Sequence, residues 1–132
     1  PTEDVRKTVK RLDDAMDKLW HKIVDQGKLD DPQPAHDTQF ELEDALKYGR
    51  ELLSTLEGTH QPDDFTKTFD FFLDSCKDSS SHIRDLIRAL KRENKYYYAR
   101  WFHEQKENLD DRLYDLQCCQ ADVRRGYPRD ME

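Results

Sequence analysis

The residues most suited to binding chemistry lie in one stretch, YYYARWFH, at positions 96–103. Aromatic rings and arginine are the side chains that most often dominate the energetics of protein interfaces. Consecutive residues of a helix are about 100° apart, so the three tyrosines cannot share one face. Tyr97 and Trp101 fit an apolar seam that continues from upstream, whereas Tyr98 and Phe102 begin a second stripe. Either both stripes are buried, or a partner-binding strip is exposed, consisting of Tyr96, Tyr98, Arg100 and Phe102.

A second candidate site is a set of basic residues just upstream of this stretch. On a helix these bases lie roughly on one face, where they could contact an acidic partner or the headgroups of a lipid surface. The alternative is a solvated face that is partly paired with acids across the bundle, at Asp63, Asp64, Asp70 and Asp74. The basic set consists of Arg84, Arg88, Lys91, Arg92 and Lys95.

The sequence lacks an arrangement typical of an enzyme or a metal centre. Asp17 with His21 and His103 with Glu107 are spaced i,i+4, but each pair offers two ligands where a protein site uses three or four. No Ser or Cys has a sequence context that supplies a base and an oxyanion hole. We therefore expect no catalytic residues, no cofactor and no metal.

Charge and cysteine content restrict the partners and the compartment. The net charge is −7, which opposes binding to a nucleic acid duplex. The three cysteines (Cys76, Cys118 and Cys119) are odd in number and include an adjacent pair, which indicates a reducing compartment rather than a disulfide framework. The longest apolar run is far shorter than the roughly 20 residues of a membrane span. We expect a cytoplasmic protein with no transmembrane segment. Peripheral contact with a membrane surface is compatible with this expectation.

Residues 82–123 organise the expected fold, because they contain neither Gly nor Pro. Their apolar residues recur mostly every three or four positions, the period of a helix with one buried stripe, although two steps skip a turn, at Asn94 and Gln105. We predict one uninterrupted helix over about 80–123, capped by Asp78 or by one of the serines that follow it. So long a helix needs partner helices along its length.

Two helices are predicted in the first part of the chain. A strict heptad seam of apolar residues indicates the first helix, over about 2–26. Pro32 and Pro34 indicate a loop, because each lacks a backbone N–H donor. Thr38 and the glutamate three residues later have the spacing of a capping box, so the second helix is predicted over about 38–57.

A further helix is predicted over about 62–77, with a break near 58–62. Its stripe of phenylalanines ends at a cysteine and should form an aromatic core. Gly49 lies on the stripe of the second helix, where the missing side chain would allow a bulky ring to approach. The predicted core stripe consists of Phe65, Phe69, Phe72 and Cys76.

These elements predict a single all-α domain over residues 1–132, an antiparallel up-and-down helical bundle. If residues 58–62 only kink the chain, the bundle has three long helices with a broken middle one; if they reverse it, the bundle has four. The first and the last helix both run from basic to acidic, so antiparallel packing of the two, which a four-helix bundle supplies, would pair opposite charges and favours four. Surface ion pairs contribute only about 0–1 kcal/mol each, so burial along the full length of the helices outweighs them and we expect three.

The pattern of the helices resembles that of a spectrin repeat, the three-helix module of spectrins, plakins and several Rho-family exchange factors. The similar features are the pair Leu19-Trp20 in the first helix and a last helix that opens on Ile83, Leu86 and Leu90. The closing pattern KENLDDRLYDLQCCQADV, at 106–123, is also similar. The resemblance extends from Val5 to Val123 and implies a three-helix coiled-coil module that serves as a scaffold.

A shorter similarity covers the segment KLWHK at positions 18–22 and Gly27-Lys28. It resembles part of the receptor-associated chaperone of lipoprotein receptors, which is also built from helical bundles, and it implies an escort role. We expect a non-catalytic interaction or scaffold module of a larger cytoplasmic protein that docks a protein partner through a helical face. The alternatives are a folding or escort chaperone domain for receptors and a metal-binding helical-bundle protein.

Overall fold

The computed structural model describes residues 2–26, 29–58 and 65–124, and within these ranges all the secondary structure is helical. Consecutive helices pack against each other, and the last helix also packs against the first, which closes the bundle. The predicted all-α bundle is confirmed, but the described residues form four helices, which was the alternative, so the expectation of three is wrong. The helices are α1 (Thr2–Gln26), α2 (Gln33–Leu56), α3 (Phe65–Arg92) and α4 (Tyr96–Arg124).

The predicted break near 58–62 reverses the chain rather than bending it. The hydroxyl oxygen of Thr38, early in α2, lies 3.1 Å from the backbone oxygen of His82, late in α3. At the other end of the pair, the rings of Tyr48 and Phe71 are 5.4 Å apart. The two helices therefore run antiparallel. The four-helix count differs from the three-helix plan that the resemblance to a spectrin repeat implies.

Gly58 follows the end of α2 and has a φ of 78°, in the left-handed region that glycine adopts without strain. Its backbone N–H donates to the carbonyl oxygen of Thr55 at 3.1 Å, which closes the last turn of α2. Residues 59–64, which include the predicted start of a helix at Pro62, lie outside the described residues.

The predicted single helix over 80–123 is wrong, because the chain turns at Asn94. This residue has a φ of 62°, and it ends α3 without a glycine. The N–H of Lys95 donates to the carbonyl of Leu90 at 2.8 Å, and the N–H of Asn94 donates to that of Lys91 at 3.0 Å. These two bonds form the Schellman motif that closes many helices, and asparagine is the residue after glycine that most readily occupies its left-handed position.

The predicted boundary near residues 78–81 is also absent, and α3 continues through it. Serines at this point do not cap a helix because other acceptors occupy their hydroxyls. Ser79 donates to the carbonyl of Ser75 one turn earlier at 2.8 Å, and Ser80 donates to the carboxylate of Asp110 in α4 at 2.5 Å. Both serines are buried, so they fill the small gaps between helices rather than ending one.

Helix α2 begins earlier than its predicted start at residue 38. Pro32 precedes the helix and Pro34 lies in its first turn, where backbone N–H groups have no acceptor within the helix and a proline is tolerated. Thr38 is therefore an interior residue rather than an N-cap. It is fully buried, and its Oγ1 lies 2.7 Å from the carbonyl oxygen of Pro34.

The core runs along the bundle axis and contains the predicted seams of α1 and α3. The glycine in α2 allows the close approach that the sequence predicts: a Cβ placed on Gly49 would lie 2.9 Å from Cε1 of Phe72. The side chains of the α1 seam and of the phenylalanine stripe are all buried, at Val5, Val9, Leu12, Met16, Leu19 and Ile23, and at Phe65, Phe69, Phe72 and Cys76.

Candidate functional site

The structure divides the predicted aromatic strip between core and surface. Phe102 is only 1% exposed and belongs to the core, and Tyr98 packs against that core with partial burial. Tyr96 is 62% exposed, and Arg100 is also exposed. Tyr97, which the pattern assigned to the apolar seam, is 74% exposed. Only Tyr96 and Arg100 of the predicted strip are therefore fully available to a partner.

The turn at Asn94 explains the wrong assignment of Tyr97. The sequence pattern extended the seam of the preceding helix through this position. A new helix begins at Tyr96, however, and which of its residues face the core does not depend on the register of α3. The buried positions of α4 then include Ala99, Phe102 and Leu109, spaced by three and seven residues as expected for one helical stripe.

The predicted basic set is exposed over most of its length. Arg84, Arg88, Lys91 and Arg92 are exposed, and Lys95 is half-buried in the turn between α3 and α4. The acid nearest to the first two is Asp85 of the same helix, at 4.0 Å from Arg84 and 3.9 Å from Arg88. Exposed contacts at these distances contribute little to stability. Of the predicted acidic partners, Asp70 accepts a hydrogen bond from Gln120 at 3.2 Å, and Asp63 and Asp64 lie outside the described residues.

A cleft between α3 and α4 brings the two predicted sets together. It has a volume of about 250 Å³ and is lined by Lys91, Tyr96, Ala99, Arg100 and His103. Lys91 comes from the basic set, whereas Tyr96 and Arg100 come from the aromatic strip. We call these five residues the α3–α4 cleft. Sequence reasoning considered His103 only as a possible metal ligand with Glu107 and left it out of the binding strip, although it lies three residues beyond Arg100 and hence on the same side of α4.

Carboxylates of the same helix already contact two of the groups in the α3–α4 cleft. His103 Nε2 lies 2.8 Å from the carboxylate of Glu107, and Arg100 Nε lies 3.9 Å from that of Glu104. Both pairs are exposed i,i+4 pairs, so water and salt weaken them. The two acids compensate part of the positive charge, but Lys91 has no acid within ion-pair distance among the described residues.

A basic edge extends from the cleft along α3. Ser80 bonds to Asp110 and thus identifies the side of α3 that faces α4. Arg84 and Lys91 follow Ser80 at i+4 and i+11, so they lie along that same side. The cleft and this edge together present three exposed cations, at Arg84, Lys91 and Arg100, beside the exposed ring of Tyr96.

The segment similar to the receptor chaperone contacts two other helices, α2 and α4. The ammonium groups of Lys18 and Lys22 lie 5.7 Å and 5.0 Å from the ring centroid of Trp101, in α4. Trp20 instead faces α2, where its indole N–H donates to Glu43 at 3.2 Å. The two lysines therefore contact Trp101, not Trp20, which lies between them in the sequence.

Asp13 is a buried acid that the sequence pattern did not reveal, because the seam of α1 is apolar at every expected position. It is 9% exposed, and its Oδ1 accepts no hydrogen bond from the described residues. Burial raises the pKa of this carboxyl, and the charges of Arg50 and Lys10 offset part of that rise. The carboxylate lies against Gly49, so a side chain there would crowd it as well as Phe72.

Within the described ranges, no three His, Cys, Asp or Glu side chains lie close enough to share a metal ion. The two predicted i,i+4 pairs are contacts between neighbours on one helix: the Asp17 carboxylate lies 3.5 Å from His21 Nδ1, and His103 contacts Glu107. None of the described helices combines the length and the apolarity needed to cross a bilayer.

Comparison of the chain with protein-family models, with the sequences of curated proteins and with solved structures found no match. The function is therefore inferred from the geometry of the α3–α4 cleft and of the surfaces around it.

Proposed function

We propose that this chain is a non-catalytic docking module and that the α3–α4 cleft binds an acidic segment of a protein partner. The convergence of Lys91, Tyr96 and Arg100 supports this proposal most strongly. These residues belong to two sets that are separated by a turn in the chain. Exposed Tyr and Arg side chains beside a cleft are typical of the residues that dominate binding at protein interfaces.

The charge distribution favours an acidic partner. The whole chain carries a net charge of −7, so its long-range field repels acidic molecules in general. Arg84, Lys91 and Arg100 form a local patch of positive charge within this negative field. Acids of the same chain neutralise the patch only in part, so a carboxylate of a partner can pair with it. Such a local patch governs the orientation and the rate of association more than the final affinity.

The ring of Tyr96 would supply apolar contact area to the same complex. Its hydroxyl donates to the Asn94 side chain at 3.1 Å, which holds the ring near the turn between α3 and α4. A ring that is already oriented loses less conformational freedom on binding than a mobile one. We place the module in the cytoplasm, because an exposed free thiol at Cys118 is typical of a reducing compartment.

The proposal can be tested by affinity capture from a cytoplasmic extract with quantitative mass spectrometry. The binding variant is Lys91→Glu plus Arg100→Glu. The control is Lys7→Glu plus Lys67→Glu, which makes the same change of charge at exposed positions outside the cleft. Circular dichroism must first show that both variants are as helical as the wild type.

We expect the wild type and the control to capture the same acidic protein. The cleft variant should capture at least tenfold less of it, and the amount captured by the wild type should fall as the salt concentration rises. The purified form of that protein should reproduce that order in a direct binding measurement. Equal capture by the cleft variant would contradict the proposal. So would binding to phosphoinositide vesicles in the absence of any protein partner, because the basic edge would then serve a membrane.

A further inference from the structure

A second exposed apolar surface lies on the opposite pair of helices, between α1 and α2. The hydrogen bond from Trp20 to Glu43 fixes how these antiparallel helices align. Val24 lies one turn after Trp20 and Phe40 lies nearly one turn before Glu43, so the two side chains are at the same level of the bundle. Val24 is 49% exposed and Phe40 is 64% exposed. Large apolar side chains that are exposed together mark interaction sites more often than isolated ones do.

A cleft continues this surface toward the middle of the bundle. It has a volume of about 310 Å³ and is lined by Trp20, Glu43, Leu46, Lys47 and Arg50. Leu46 is buried and Trp20 is half-buried, so the cleft has apolar walls. We use the name α1–α2 groove for Val24, Phe40 and these five residues.

The charges of the α1–α2 groove are unequal. Glu43 accepts the hydrogen bond from the indole of Trp20, which engages its carboxylate. Lys47 and Arg50 are exposed, and Arg50 lies 4.0 Å from Asp17 and also interacts with the buried Asp13. One end of the groove is therefore apolar, and the other carries two exposed cations, of which Arg50 is partly compensated by acids of α1.

We propose that the α1–α2 groove binds an amphipathic helix of a protein partner. The apolar stripe of that helix would cover Val24, Phe40 and Trp20, and carboxylates beside the stripe would pair with Lys47 and Arg50. A helix fits because two antiparallel helices leave a straight groove along their length, and an amphipathic helix places anchors along such a groove. This surface is separate from the α3–α4 cleft and adds a second interaction to the proposed docking function.

The test uses ¹⁵N-labelled protein and two synthetic helical peptides with the same stripe of leucines. One peptide carries glutamates beside the stripe and the other carries lysines. We expect the glutamate peptide to shift the indole N–H signal of Trp20 and the amide signals of Val24 and Phe40. Val24→Ser plus Phe40→Ser should weaken its binding at least tenfold. The control is Tyr97→Ser plus Tyr114→Ser, which removes exposed rings from outside the groove and should leave the affinity unchanged.

Three results would overturn the inference. Equal binding of the lysine peptide would show that the cations do not select the partner, and shifts confined to other faces would place the binding elsewhere. A dimer that forms without peptide and dissociates on Phe40→Ser would make the groove an interface between copies of the chain. The variant Lys91→Glu plus Arg100→Glu should bind the glutamate peptide normally, so failure of the proposed docking function and failure of this inference are distinguishable.

Discussion

Replacement of Gly49 by alanine sets a favourable local effect against an unfavourable packing effect. In an isolated helix the change from glycine to alanine is stabilising by about 1 kcal/mol. In this bundle the new Cβ would lie 2.9 Å from Cε1 of Phe72 and 3.2 Å from the Asp13 carboxylate, whereas ordinary contacts begin at 3.4 Å. The ring would have to move by roughly half an ångström, and Phe72 is fully buried, so it has no free space to enter.

Overpacking of this kind typically costs about 1–3 kcal/mol. After the gain in helix propensity is subtracted, we expect Gly49→Ala to lower the free energy of unfolding by up to about 2 kcal/mol. Urea unfolding followed by circular dichroism should show a lower midpoint with an unchanged slope. Glu51→Ala, an exposed substitution on the same helix, serves as the control and should change the stability by less than about 0.5 kcal/mol.

A double-mutant cycle identifies the ring as the cause of this loss. Phe72→Leu removes the crowded ring, so the loss caused by Gly49→Ala should be smaller in that background, by at least about 0.5 kcal/mol. If Gly49→Ala instead stabilises the wild type by the full difference in helix propensity, the predicted clash is refuted. The space between α2 and α3 would then accommodate a Cβ at position 49, contrary to the distances to Phe72 and Asp13.

Three further predictions concern single residues. Asp13→Asn should raise stability at neutral pH by about 1 kcal/mol, because it removes a buried charge. Burial raises the pKa of Asp13 in the folded state. The advantage of the variant should therefore shrink as the pH falls from the raised folded pKa toward the ordinary pKa of an aspartate. Thermal melts of both proteins across this pH range will show the change. Asn94→Gly should be neutral or stabilising and Asn94→Val destabilising by about 1–2 kcal/mol, measured by urea unfolding, because φ is positive there. Cys118 should react with a thiol reagent in the folded protein, whereas Cys76, which is buried and has a raised pKa, should react only after unfolding, as timed absorbance measurements will show.

The sequence predicted those features that depend on a repeated pattern. The seam of α1 recurs every three or four residues, so one buried face follows directly from the spacing, and the same holds for the phenylalanine stripe of α3. The close approach at Gly49 was also predictable, because a glycine on an apolar stripe leaves room that a large side chain of a neighbouring helix can fill. These predictions needed no knowledge of which helix lies opposite.

Features that depend on a single residue or on a distant contact were not predictable in this way. The serines near position 80 match the composition of a helix cap, and only the carboxylate of Asp110 explains why α3 continues through them. Asp13 follows a seam position and lies against Gly49 of α2, a contact that the pattern of α1 does not describe. The exposed pair of Val24 and Phe40 belongs to two helices whose alignment only the structure gives.

The turn at Asn94 links the error in the predicted fold to the candidate site. On an uninterrupted helix Lys91 and Arg100 would be nine residues apart, which separates them by about 13 Å along the axis and by roughly half a turn around it. They would project from opposite faces of one rod and could not bind one ligand together. Because the chain reverses at Asn94, Lys91 lies near the end of α3 and Arg100 near the start of α4, on the two sides of one cleft. Residues of the basic set and of the aromatic strip therefore meet at one cleft only because Asn94 ends α3.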